Sequence, residues 1–238
     1  VLPMKLTGLE DAGQSHVGQQ RDLNEDNYFI QSALSRQETL SSQTLDARCA
    51  YILCDGMGGH SGGEIASQLA VDNLRTYLDE HWTSELPSET ELRQAIGLAN
   101  QVIYDKNQVE ERTGSARMGT TLVMLLVKGT QAVTAHVGDS RLYRYTKRLG
   151  LQQNTVAHEV GQREIKRGVE AAIAYARTQA YQLTQAQGPC GQDALDPGFN
   201  YLNLTEDTLL LLCSDGLSDD RLLETNCSTH FEPNLRGH

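Results

Sequence analysis

In two places along this chain a run of apolar residues stops abruptly at Asp-Gly: YILCDG follows Arg48, and TLLLLCSDG follows Asp207. A buried strand that ends at an aspartate, with glycine turning the chain, sets a carboxylate at a sheet edge. These two stops belong to a set of four acidic, mostly glycine-bearing clusters: RDLNEDNY (21–28), CDGMGGHSGGE (54–64), AHVGDSRLYRY (135–145) and CSDGLSDD (213–220). Asp-Gly is ordinary turn chemistry, so a single cluster on its own reads as an acidic turn. Carboxylates that converge are another matter. At about 4 Å each pair repels by about 1 kcal/mol even in water, and by more when partly buried. Converging aspartates therefore need cations between them.

Carboxylate oxygens without clustered His or Cys suit hard cations such as Mg²⁺ or Mn²⁺. Two such ions bridged by one carboxylate can acidify a shared water and clamp a displacement at phosphorus. A nearby arginine would grip the phosphate with two parallel hydrogen bonds. Arg21 precedes Glu25 and Asp26 closely enough to share a site with them, the alternative being a solvated loop charge.

Bulk properties narrow the field. A length of 238 residues, 39% of them hydrophobic, supports one large globular domain or two small ones. A formal net charge of -11 argues against a nucleic-acid surface, which needs clustered Lys and Arg. There is no apolar run of about 18 residues to span a membrane, and the first residues lack the pattern of a signal peptide. The start at Val1 suggests an excised segment. The five cysteines are odd in number and without CxxC spacing, as expected of reduced thiols in a cytoplasmic protein.

The periodicities predict strands over 26–33 and 48–54, helices over 64–81 and 89–112, then a meander of strands over 120–127, 131–137 and 140–145. Residues 147–200 are polar, with a helix expected over 159–176 and a loop over 188–198. A last buried strand covers 208–213, and a helix starts within 218–224. The order of elements predicts an α+β fold with helices layered on antiparallel sheet.

RxxNED, DGMGGH, MGTT (118–121), HVGDSR and SDGLSD, in this order and spacing, resemble the metal-dependent serine/threonine protein phosphatases of the protein phosphatase 2C (PPM) family in its bacterial form. The match spans about residues 12–222. The resemblance implies a four-layer α-β-β-α sandwich, with two central antiparallel sheets between helices. It also implies an enzyme in which a water bridging two Mg²⁺ or Mn²⁺ ions attacks phosphoserine or phosphothreonine of a phosphoprotein. By motif, Asp55 would bridge the ions, the Gly56 carbonyl would bind one, Asp215 would ligate the second, and Glu25 and Asp26 would complete the shells. Arg21 would bind the phosphate. Asp139 and Asp219 would suit a third ion. His60 is the candidate acid for the leaving alkoxide, with orienting a water or capping the next helix as alternatives. The family acid directly follows Asp-Gly in the animal enzymes, and Met57 stands there instead. His136 reads as a structural histidine, Met57 and Met118 as packing residues, and Thr120 and Thr121 as strand residues that pack and hydrogen-bond.

Two departures stand out. TVAH (155–158) carries Ala157 where the family has Asp. After Asp220 neither the family's final strand nor its Asp-Asn ligand follows, so the C-terminal strand is missing from the pattern. Residues 1–225 are therefore read as the catalytic domain and 226–238 as a polar tail, with Glu224 or Asp220 as imperfect substitutes for the lost ligand. The primary expectation is an active phosphatase in signalling, opposed to a serine/threonine kinase, monomeric, with no nucleic-acid or membrane partner. The alternative is a weakened or inactive phosphatase-like module that binds phosphoproteins or a partner kinase. A different hydrolase or plain metal-binding domain is disfavoured, because Cys-x₅-Arg, repeated Gly-Asp and GxxxxGK motifs are all absent.

Overall fold

The computed structural model describes residues 5–19, 21–39, 42–59, 62–219 and 222–231. A long hairpin opens the fold: β1 (Asp26–Thr39) runs antiparallel to β2 (Ser42–Met57), in register from Asp26 opposite Asp55 to Thr39 opposite Ser42. Helices α1 (Gly62–His81) and α2 (Glu89–Val109) follow. The start of α2 is fixed by a reciprocal cap in which Ser88 and Glu91 each satisfy the other's backbone N–H. The chain then forms β3 (Gly119–Thr120), β4 (Leu122–Lys128), β5 (Gln131–Val137), β6 (Arg141–Thr146) and β7 (Gly150–Gln153). Short helices α3 (Val160–Lys166) and α4 (Ala171–Ala174) lead to β8 (Gly198–Asn203) and β9 (Thr208–Cys213). Helices α5 (Asp215–Ser218) and α6 (Leu222–His230) end the described chain.

One antiparallel sheet has the order β1-β2-β4-β5-β8, with β3 paired to the end of β2, and a second has the order β7-β6-β9. Alternation along β4 shows how they stack. Leu122, Met124 and Leu126 face α1 and α2, in a core with Ile52, Leu74 and Ile96. Val123, Leu125 and Val127 face the second sheet, in a core with Leu142, Leu210 and Leu212. Burial on both faces is why this segment reads as an unbroken apolar run. The far face of the second sheet carries Tyr143, Leu211 and Cys213 against Leu223 and Phe231. The layers are thus helix, sheet, sheet, helix, as the family resemblance implied. Cys49, Cys54 and Cys213 are buried free thiols. No helix among the described residues is long and apolar enough to cross a membrane.

Several elements differ from the sequence reading. The hairpin strands run well beyond 26–33 and 48–54: the added part of β1 is mostly polar, and the short inward alternation Leu45, Ala47, Cys49 in β2 went unread. The run 120–127 is split between β3 and β4. Residues 159–176 form two short helices rather than one, interrupted beside Gly168 (φ 93°). β7 and β8 went unseen, the latter an edge strand whose six residues pair only with β5. Helix α6 covers the start of the stretch read as a polar tail. No strand follows β9 among the described residues.

Candidate active site

The carboxylates are delivered by the ends of strands. In the β1–β2 register Asp26 stands directly opposite Asp55. Like charges facing each other across a ladder are destabilising, so something must hold this pair. The backbone of Asp55 is fixed from the neighbouring chain. Its N–H donates to Thr121 Oγ1 at 3.0 Å, and its carbonyl accepts from the Thr121 N–H at 2.8 Å and Thr120 Oγ1 at 2.9 Å. Thr121 Oγ1 in turn meets Ser140 Oγ at 2.6 Å.

The next residue, Gly56, donates its N–H to the Glu25 carbonyl at 3.1 Å. A β-carbon on Gly56 would run into the Gly63 carbonyl, and one on Gly63 into the Glu25 carboxylate. Gly56 and Gly63 therefore let the start of α1 close onto the tips of β1 and β2.

Asp139 follows Gly138, which turns the chain after β5 with φ 97°. That glycine is held twice by His158: its N–H donates to Nδ1 at 3.2 Å, and its carbonyl accepts from the His158 N–H at 2.8 Å. Asp215 opens α5 just after β9, and the preceding Ser214 Oγ donates to Asp26 Oδ2 at 2.8 Å.

These segments enclose a cleft of about 390 Å³ that Arg21, Glu25, Asp55, Gly56, Asp139 and Asp215 help to line. Burial, then the neighbouring Asp215, Asp26 and Asp139, push the Asp55 carboxyl up to about 8. Burial, then Asp215 and Glu159, push Asp139 up to about 6. Burial also raises Asp26, against the opposing pull of its bond from Ser214. In each case burial comes first and neighbouring negative charge adds to it, with Arg141 pulling Asp139 partly back. Arg21 sits at the mouth, its side chain 74% exposed and 3.8 Å from Glu25 Oε2.

The donor set fits hard divalent cations: the carboxylates of Glu25, Asp55, Asp139 and Asp215 line the cleft with Gly56, and their mutual repulsion is what a cation would relieve. As the side chains stand, no three His, Cys, Asp or Glu residues among those described are grouped to hold one ion. Closing a coordination shell would thus take side-chain rotation rather than a new fold.

Of the residues singled out from sequence, the six just named share the cleft, and Asp26 adjoins it through Asp55 and Ser214. Asp219 is exposed and acts electrostatically on Arg141. His60 and Asp220 lie outside the described residues. His136 is buried, stacked on His158 at 5.0 Å between ring centroids, with Nε2 at 2.9 Å from the Val156 carbonyl. Met118 is fully buried, whereas Met57 lines the cleft. Glu224 accepts from Tyr143 OH at 3.1 Å behind the second sheet and is not among the cleft-lining residues. Sequence reasoning did not foresee that Thr120, Thr121 and Ser214 brace the acids. Their only local mark is a hydroxyl shortly after Met118 or immediately before Asp215, which names no partner.

A family model described as protein phosphatase 2C matches residues 27–236. Protein phosphatase PhpP of Streptococcus pneumoniae serotype 2 is 33% identical over 211 residues, covering 85% of this chain and 76% of that protein. The serine/threonine phosphatase stp of Listeria monocytogenes is 36% identical over 182 residues, covering 73% and 68%. Among solved structures, the S. agalactiae serine/threonine phosphatase superposes with a TM-score of 0.65 at 29% identity, over 85% of this chain and 77% of that one. The catalytic domain of serine threonine protein phosphatase PstP, solved in complex with 2 manganese ions, gives 0.59 at 26% identity, over 84% of each chain.

Proposed function

The chain belongs to the protein phosphatase 2C family, and on that premise we propose that its cleft hydrolyses phosphoserine and phosphothreonine esters in proteins by metal-dependent chemistry. The observation that carries this reading is the convergence of Asp55, Asp139 and Asp215 with Arg21 on one cleft, where burial and then the neighbouring carboxylates push Asp55 up to about 8.

Asp55 would be shared by two cations, the Gly56 carbonyl would serve one and Asp215 the second, and Glu25 and Asp26 would complete the shells. When bound, Mg²⁺ or Mn²⁺ contributes Lewis acidity at the phosphoryl oxygens and at water. Asp139 provides a carboxylate for a third ion. Asp219, beside Arg141 as it stands, would have to turn inward to join it.

The chain's own residues do the rest. Arg21, free to swing at the mouth, pairs with the phosphate dianion and orients it over the acids. Thr120 and Thr121 keep the Asp55 backbone from shifting. The leaving serine or threonine alkoxide needs a proton, and His60 is the residue assigned to give it. The substrates are phosphoproteins, and we set the enzyme against a serine/threonine kinase, as a cytoplasmic monomer.

The test is hydrolysis of a phosphothreonine peptide with Mn²⁺ or Mg²⁺ present. Turnover that requires the metal and vanishes in Asp55→Asn is expected. Turnover that persists in chelator, or in Asp55→Asn, would refute the assignment.

A further inference from the structure

Helix α2 carries two asparagines, Asn100 and Asn107, that are 0% exposed. A buried primary amide is costly unless its donors and acceptor are met, and both are met from outside the helix. Asn107 Nδ2 donates to the Met118 carbonyl at 2.8 Å and the Gly188 carbonyl at 3.1 Å, while its Oδ1 accepts from the Met118 N–H at 2.8 Å. Asn100 Oδ1 accepts from the Gly188 N–H at 2.7 Å, and its Nδ2 donates to the Cys190 carbonyl at 3.0 Å.

The two side chains differ in what they hold. Asn107 takes both backbone groups of Met118, as a neighbouring strand would. Met118 leads into β3, whose two residues pair with Gly56 and Met57. That strand is too short to fix itself, yet Thr120 and the adjoining Thr121 are the groups that grip the Asp55 backbone. Asn107 therefore stands at one end of a short lever whose other end is Asp55. Asn100 bonds only to the segment 188–190 and to neither backbone group of Met118; that segment meets the lever indirectly, through the adjoining Gln187 paired with Thr120 and through Arg117 on the Pro189 carbonyl.

We propose that Asn107 is a positioning residue for Asp55, tuning how tightly the cleft binds its cations through Met118, Thr120 and Thr121. The proposal rests on the reading of Asp55 as a metal ligand. Residues that orient a ligand from behind typically change metal affinity by about 10–100-fold when replaced.

The experiment is Mn²⁺ titration by calorimetry on the folded protein, beside thermal unfolding in chelator, for wild type, Asn107→Asp and Asn100→Asp. Each variant swaps amide donors for a carboxylate at an equally buried place, so both should lower the unfolding temperature of the metal-free protein. Only Asn107→Asp should weaken Mn²⁺ binding, by about 10–100-fold, with excess Mn²⁺ restoring turnover. If Asn107→Asp does not fold, Asn107→Ser is titrated in its place. Wild-type affinity in the Asn107 variant overturns the proposal, as does equal weakening by Asn100→Asp, which would mean general loosening. Absence of Mn²⁺ binding in the wild type would instead remove the underlying reading of Asp55.

Discussion

Replacing Asp55 by Asn should make the metal-free protein more stable while abolishing its catalysis. Asp55 in the folded chain is pushed from its ordinary 3.8 to about 8 by burial and by Asp215, Asp26 and Asp139. A carboxyl whose folded value is raised binds its proton more tightly in the native state than in the unfolded one. Stability from this group is therefore full below about pH 4, falls as pH rises through the window from about 4 to 8, and is flat above it. At about 1.4 kcal/mol per pH unit, the loss accumulated by pH 7 is about 4 kcal/mol before screening. The side chain keeps partial contact with solvent, so about 2 kcal/mol is the figure to expect. The neutral amide of the variant would have no such titration, and the main-chain bonds to Thr120 and Thr121 remain available to it. For a chain of this size that difference amounts to about 4–8 °C in unfolding temperature near neutral pH. The assay is thermal unfolding by circular dichroism in chelator from pH 5 to 9, wild type against Asp55→Asn. The variant's advantage should grow from pH 5 to about 8. Equal unfolding temperatures throughout, or a wild type that gains stability as pH rises, would refute the idea that unscreened repulsion strains this cleft.

The remaining predictions concern the cation, the phosphate and the glycines. Mn²⁺ at about 100 times its dissociation constant should stabilise the wild type by about 2.7 kcal/mol, or about 5–10 °C, with little shift in Asp55→Asn; scanning fluorimetry with and without metal decides it. Arg21→Ala should lower kcat/KM on a phosphothreonine peptide by about 10–100-fold, the worth of charge-assisted hydrogen bonds. Because Arg21 is largely exposed, Mn²⁺ affinity measured by calorimetry should stay within about twofold. Gly63→Ala places a β-carbon against the Glu25 carboxylate and 2.7 Å from the Gly56 carbonyl carbon. Urea unfolding should show a loss of about 1–3 kcal/mol, the cost of overpacking a closed site.

How far the sequence could be read depended on what its side chains had to do. Segments buried on one or both faces announced themselves: the apolar stripe of α1, the run through β4 and the leucines of β9 all carry period or length that burial imposes. Elements with few buried side chains did not. The outer half of β1 is polar, β2 adds only the brief alternation Leu45, Ala47, Cys49, and β8 is an edge strand of mixed burial. For the cleft, the acids stood out because four acidic clusters recur in a set order, although a single Asp-Gly is ordinary turn chemistry. The bracing groups were not, because a threonine or a buried asparagine within a regular element looks like filler until its distant partner is known. Asn107 meets Met118 across eleven residues and Gly188 across eighty-one, and no local pattern encodes the second contact.

The part of the hairpin that the sequence hid bears directly on the part it displayed. Asp26 and Asp55 face one another only in the register observed, and slipping either strand by one residue would turn one of the two carboxylates to the opposite face of the sheet. Near the cleft that register works against charge repulsion between the pair. It must therefore be enforced from elsewhere along the ladder, and the continuous pairing from Asp26–Asp55 to Thr39–Ser42 is long enough to do so. Hydrophobic alternation in Phe29, Ile52 and Cys54, packed against α1 and α2, adds a second lock. The polar extension of the two strands thus has a role that its composition conceals. It anchors a carboxylate pair that would otherwise favour sliding apart.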